Sequence, residues 1–127
     1  MEIFLVEDSP MLRQRLSDLL NAVPGANVAG YAEEAQAAIQ AILDTKPDVA
    51  IVDLSLSKGT GFDVLKALSR QAPQIDVYML SNFSSEPYRQ LASRLGARGF
   101  FDKSSEFQRV RDIIAERASS AKAVLPD

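Results

Sequence analysis

Short apolar runs alternate with helix-length segments along the whole chain, and that alternation leaves few folds open. Runs of strand character lie at 2–7, 27–31, 48–53, 75–80 and 99–102, with helical patterns at about 10–22, 33–45, 61–72, 85–95 and 105–118. Strands separated by helix-length segments imply right-handed βαβ crossovers, and therefore an open parallel α/β sheet. Ile3-Phe4-Leu5-Val6, Val49-Ala50-Ile51-Val52 and Val77-Tyr78-Met79-Leu80 are continuous apolar runs, as expected of parallel strands buried on both faces. Chain punctuation agrees. Ser9-Pro10 is an N-cap followed by a first-turn proline, and Leu12, Leu16, Leu19, Leu20 and Val23 then recur at helical spacing. Gly96 is placed as a helix C-cap and Ser104 or Ser105 as the cap of the last helix, whose stripe is Phe107, Val110, Ile113 and Ile114.

At 127 residues, with 46% hydrophobic and 24% charged side chains, the chain can bury one core. Residues 1–118 are expected to form the domain and 119–127 a C-terminal tail or linker stub. There are no cysteines and no histidines. This excludes thiolate nucleophiles, Ser-His catalysis, Cys-based zinc sites and any phosphohistidine on this chain. With 14 basic against 17 acidic residues, no whole-domain basic footprint for nucleic acid is present, and no direct nucleic-acid contact is expected. No run approaches the roughly 18 apolar residues a membrane span needs. The N-terminus enters a strand directly, so a cytoplasmic protein without a signal peptide is expected.

The strand ends carry the chemistry. In such a sheet the carboxyl ends of the strands form the ligand crevice. The first strand runs into Glu7-Asp8, the third into Asp53, the fourth into Ser81, and the fifth towards Lys103. Hard divalent cations take oxygen ligands, and Mg²⁺ commonly uses one or two carboxylates, waters and a phosphate oxygen. A strand-end aspartate can act as a nucleophile towards a phosphoryl group, given a cation beside it. A lysine stem reaches phosphoryl oxygens, and a serine hydroxyl can hydrogen-bond them. Each group alone has a plain structural reading, as helix-dipole acid, Asx-turn, solvated lysine or N-cap. Together, at four separate strand ends, they point to a metal-and-phosphate site. Gly59-Thr60-Gly61 lacks the full phosphate-loop patterns and reads as a turn into the third helix, with Asp63 as its first-turn acid.

These pieces, Phe-Leu-Val-Glu-Asp-Ser, Pro-Asp-Val-Ala-Ile-Val-Asp-Leu-Ser-Leu, Gly-Thr-Gly-Phe-Asp-Val-Leu, Met-Leu-Ser and Gly-Ala-Arg-Gly-Phe-Phe-Asp-Lys, resemble a response-regulator receiver domain over nearly the whole chain. The resemblance implies a doubly wound, flavodoxin-like sheet of order 2-1-3-4-5. It implies Asp53 as phosphoacceptor, and Mg²⁺ held by Glu7, Asp8, Asp53 and the Ser55 main-chain carbonyl. Ser81 and Phe100 would be the switch pair, and Lys103 the phosphate-pairing lysine. It also implies a sensor histidine kinase or phosphotransfer protein as donor, with Arg13 and Gln14 on the docking edge. The output face would be helix 4, strand 5 and helix 5, carrying Tyr88, Arg89, Arg98, Arg109 and Arg111, through which a downstream protein or a second copy would bind. The chain departs from the family pattern at Glu7 (commonly aspartate), Ser81 (commonly threonine), Phe100 (often tyrosine) and Ser104, where proline and a cis peptide are frequent.

Three other readings stand beside the phosphoacceptor. One is an interaction module that works without phosphorylation. A second is the receiver half of a larger DNA-binding regulator. The last is an enzyme such as a flavin carrier or aspartate phosphatase, for which Glu7-Asp8-Ser9-Pro10 has the wrong charge and Asp53-Leu54-Ser55 lacks a second aspartate.

Overall fold

A computed structural model describes the backbone of residues 1–124 and the side chains of residues 1–120. The chain runs β1 (Glu2–Val6), α1 (Pro10–Asn21), β2 (Asn27–Ala32), α2 (Ala35–Thr45), β3 (Val49–Val52), α3 (Gly61–Gln71), β4 (Asp76–Ser81), α4 (Glu86–Arg94), β5 (Gly99–Asp102) and α5 (Phe107–Val124). The five strands form one parallel sheet in the order β2-β1-β3-β4-β5. This is the doubly wound arrangement expected.

The strict two-residue alternation of a strand divides the core in two. Ile3, Leu5, Val49, Ile51, Tyr78, Leu80 and Phe101 pack with Leu16 and Leu20 of α1 and Val110 and Ile114 of α5. Phe4, Val6, Ala50, Val52, Val77 and Met79 pack on the other face with Ile42 of α2, Val64, Leu65 and Leu68 of α3, and Ala92 of α4. A sheet buried on both faces needs unbroken apolar strands, which is why β1, β3 and β4 lack polar alternation. Each fully buried Leu, Ile or Val side chain contributes about 1.5–3 kcal/mol. Edge strand β2 faces water along part of its length, so its run is the weakest in sequence.

The helix ends follow their local chemistry. The Ser9 hydroxyl accepts the Leu12 N–H at 3.3 Å, as its place before Pro10 predicts. Thr60 and Asp63 form a capping box at the start of α3, each side chain accepting the other's backbone N–H. Gly96 closes α4 with φ +104°; its N–H donates to Ser93 and that of Ala97 to Ala92, a Schellman motif. Helix α5 begins at Phe107, two residues past the expected cap at Ser104 or Ser105. These serines belong to a turn built on Asp102, whose Oδ1 accepts the N–H groups of both and the Ser104 hydroxyl. Helix α5 also continues to Val124, six residues past its predicted end at 118, with no glycine or proline before Pro126 to stop it. The last three residues of the expected tail, 125–127, lie outside the described residues. Among the described residues no helix is long and apolar enough to cross a membrane.

Candidate functional site

Backbone hydrogen bonds beyond the strands fix where the expected site residues sit. The Glu7 N–H donates to Ala32 at 3.0 Å, Asp53 N–H to Val6 at 2.9 Å, and Lys103 N–H to Ser81 at 3.1 Å. These bonds extend the parallel ladder by one residue at three strand ends: Glu7 and Asp53 emerge at one level, and Lys103 two residues further along its own strand, from where its long stem reaches back. Lys103 Nζ then lies 2.7 Å from Asp53 Oδ2 and 2.9 Å from Glu7 Oε1. Glu7 and Asp53 are only 2% and 6% exposed. A carboxylate oxygen from each of Glu7, Asp8 and Asp53 lies within 4.8 Å of the others.

The electrostatics follow from crowding. Burial pushes the Glu7 carboxyl above its ordinary value, against the opposing pull of the Lys103 hydrogen bond and the Ser9 N–H. Burial also disfavours charge on Lys103, but its hydrogen bonds to Asp53 and Glu7, and their charges, outweigh it and carry the ammonium upward. Glu7 uses both oxygens within the protein: Oε1 on Lys103 and Oε2 on the Ser9 N–H, at 3.0 Å. The extra methylene of glutamate over aspartate is what gives this reach. Arg13 steadies the same loop, with Nη1 donating to the Glu7 carbonyl at 2.9 Å and pairing with Glu33 at 2.8 Å. Its guanidinium also stands 4.1 Å from the centre of the Tyr31 ring.

An open cleft of about 200 Å³ lies over the cluster, lined by Asp8, Asp53, Ser55, Ser81, Asn82, Phe83 and Lys103. Its donor set, three carboxylates beside a backbone turn with no sulfur or imidazole, suits a hard cation such as Mg²⁺. The structure thus brings Glu7, Asp8, Asp53, Ser55, Ser81 and Lys103 to one place. Ser81 is fully buried, and its Oγ accepts the Phe83 N–H at 3.0 Å. Phe100 is half-buried on β5, with the Arg89 guanidinium 5.1 Å from its ring centre. The Lys103–Ser104 peptide is trans.

Arg13, expected on the docking edge, has a side chain only 12% exposed that is engaged by Glu7, Glu33 and Tyr31. On the α4-β5-α5 face Arg98, Arg109 and Arg111 stay solvent-exposed but each is paired with an acid. Arg89 and Arg109 both pair with Glu106, Arg98 with Asp76 and Arg111 with Asp112. Asn82 and Phe83, which the strand-end pattern does not single out, also line the cleft. Their position directly after Ser81 was the available signal. The role of Gly61 was hidden as well: a Cβ there would press on the Asp53 carbonyl and Met79.

A parallel sheet of this order, with carboxylates from two strand ends and a lysine from a third at its head, defines a doubly wound domain whose ligand crevice is acidic with one cation. Residues 3–115 match the model of the response regulator receiver domain; the chain belongs to that family, the receiver domains of two-component signalling. It is 29% identical over 125 residues to the uncharacterized transcriptional regulatory protein YvfU of Bacillus subtilis, covering 98% of this chain and 62% of that protein. It is 36% identical over 107 residues to a protein-glutamate methylesterase/protein-glutamine glutaminase of Vibrio vulnificus, covering 83% of this chain and 31% of that one. The chain therefore spans less than two thirds of either relative. Its fold is similar to the response regulator domain of Thermotoga maritima CheB, at a TM-score of 0.82 and 28% identity, over 99% of this chain and 98% of that one.

Proposed function

We propose that the chain is a Mg²⁺-dependent phosphoacceptor switch with Asp53 as the residue phosphorylated. The observation that carries this reading is the position of Asp53. It is a nearly buried carboxylate, paired to Lys103 at 2.7 Å, at the floor of an open cleft beside two further acids. An Asp53 oxygen attacks the phosphorus of a phosphohistidine on a sensor kinase or phosphotransfer protein, or of a small acyl phosphate. A new P–O bond forms to Asp53, and the bond from phosphorus to the imidazole nitrogen or acyl oxygen breaks, its electron pair leaving with that group. Lys103 holds the attacking carboxylate in place and then pairs with the incoming phosphoryl oxygens. Asp8 and Asp53, with Glu7 and the Ser55 carbonyl, would hold Mg²⁺, which would supply positive charge beside the phosphoryl oxygens. The Ser81 hydroxyl turns towards the phosphoryl group, and Phe100 follows, altering the α4-β5-α5 face for a downstream protein. On this reading the chain catalyses only its own phosphorylation and dephosphorylation, in the cytoplasm, with residues 1–118 as the working unit.

The length of the relatives supports a second reading of the architecture, in which this domain is the receiver half of a larger regulator. The chemistry is the same in both. Incubation with acetyl phosphate and Mg²⁺ followed by intact mass measurement tests it: wild type gains one phosphoryl group, Asp53→Asn none. No gain in wild type, or an equal gain in the variant, overturns the reading.

A further inference from the structure

Arg89 lies in the first half of α4, and its guanidinium is spent on three other pieces of chain. Nε donates to the Ser84 carbonyl at 2.8 Å, Nη1 to the Phe100 carbonyl at 3.0 Å, and Nη2 to Glu106 Oε1 at 2.7 Å. The plane of the group also lies near the Phe100 ring. The same network continues through the Ser84 hydroxyl, which donates to Asp102, and Glu106 Oε1, which accepts the Asp102 N–H at 3.0 Å. None of this is needed to pair the strands, because β4 and β5 are joined through their own backbones from Tyr78↔Gly99 to Ser81↔Asp102. A rigid guanidinium fork that satisfies three acceptors specifies one arrangement of them.

The segment that Arg89 grips begins just after Ser81. Ser81 Oγ accepts the Phe83 N–H, so turning that hydroxyl towards a phosphoryl group on Asp53 breaks this bond and draws residues 82–84 along. Ser84 is held from two sides, by Arg89 on its carbonyl and by Asp102 on its hydroxyl. Phe100, the aromatic expected to move with Ser81, is held by the same guanidinium through its carbonyl and its ring.

We propose that Arg89 is a positioning residue that clamps the segment after Ser81 to Phe100 and Glu106, so that its grip opposes phosphorylation and sets how far a given donor drives the switch. The inference rests on the phosphoacceptor reading above. An interaction made in only one of two arrangements lowers the population of the other by the factor that its free energy represents. Arg89 touches no reacting atom; it acts through Ser81 and Phe100.

The test compares wild type, Arg89→Ala, Glu106→Gln, Ser81→Ala and the Ser81→Ala/Arg89→Ala double variant. Each is held with Mg²⁺ and sub-saturating acetyl phosphate, and the ratio of phosphorylated to free protein is read by intact mass beside a thermal melt. The ratio is expected to rise about fivefold or more in Arg89→Ala, the lower end of usual coupling factors. It rises less in Glu106→Gln, and not at all when Arg89 is removed on the Ser81→Ala background. An unchanged or lower ratio in Arg89→Ala, with only a reduced melting temperature, makes Arg89 merely structural and overturns the proposal. So does an equal rise on the Ser81→Ala background. Should Arg89→Ala fail to fold, Glu106→Gln decides alone, because it keeps the shape and removes one charge of the clamp: an unchanged ratio there overturns the proposal. Wild type that takes no phosphoryl group overturns the underlying reading as well. Labelled wild type with matching variants overturns the clamp alone.

Discussion

Glu7, Asp8 and Asp53 together carry three negative charges against the single ammonium of Lys103, and the contacts of that ammonium go to Glu7 and Asp53. Asp8 is therefore the carboxylate with the least local compensation. Replacing it with asparagine is expected to stabilise the metal-free protein by about 1 kcal/mol, the size of like-charge repulsion near a surface. The same change is expected to abolish most of the stabilisation that Mg²⁺ gives wild type by mass action. Thermal melts with chelator and with Mg²⁺ read both effects, and a loss of stability in chelator would contradict this picture of the charge balance. Lys103→Ala moves the other way. It leaves two nearly buried carboxylates facing each other, at a cost of about 3 kcal/mol, the lower end for a broken buried pair. Denaturant unfolding in chelator measures that cost, and a cost under half of it would mean that water already screens the cluster. Most of these residues were legible in the sequence because each ends an apolar strand. The interplay among them was not. That Glu7 spends one oxygen on Lys103 and the other on the Ser9 N–H depends on a side-chain path which no spacing specifies.

At the scale of elements, the turn into α3 shows how closely the site is built into the fold. Gly59 has φ +76°, Thr60 and Asp63 cap the helix, and Gly61 lies against the Asp53 carbonyl. Gly61→Ala is expected to cost about 1–3 kcal/mol through overpacking against backbone and Met79. It should also slow phosphorylation of Asp53, since the shift falls on the residue that bears the nucleophile. Thr60→Ala loses only the cap, about 1 kcal/mol, and leaves the phosphorylation rate near wild type. Chevron kinetics and acetyl phosphate labelling separate the two variants; equal labelling rates would remove Gly61 from any part in placing Asp53. The element pattern itself was readable, because strands buried on both faces are continuous apolar runs and the caps obey local chemistry. The start of α5 was less legible: Ser104 and Ser105 are good caps by residue type, yet the helix begins at Phe107, two residues on, and the Ser104 hydroxyl turns back to Asp102. Nor does a helical wheel separate Arg109, which meets Glu106 while 67% exposed, from Arg89, which is drawn in to 32% by an acid from another element.

For the whole molecule, acid affects two sets of carboxylates in opposite senses. The Arg89 hydrogen bond, with the Asp102 N–H and Arg109, holds the Glu106 carboxyl below its ordinary value. The Ser84 hydroxyl, with Ser104 and Ser105, holds Asp102 lower still. Groups lowered on folding stabilise above their unfolded values, about 4 for these acids, and lose that contribution as pH falls through the folded ones. Glu7 is raised, so its penalty is present at neutral pH and is relieved as pH falls through its folded value. Stability is therefore expected to hold or rise slightly on mild acidification and then to drop below about pH 4. Glu106→Gln makes the drop shallower. Urea midpoints measured from pH 7 to 3 check this, and an identical slope in the variant would mean that Glu106 titrates alike in both states.

The strand-end aspartate, held by Lys103 beside two acids, is expected to be the one residue that accepts a phosphoryl group. Treating the protein with acetyl phosphate and Mg²⁺, reducing the acyl phosphate with borohydride to homoserine, and sequencing the peptides by mass spectrometry locates it directly. The expected result is homoserine at position 53 alone, absent when Mg²⁺ is chelated. Homoserine at position 8 or elsewhere, or none in the presence of Mg²⁺, would overturn Asp53 as the phosphoacceptor.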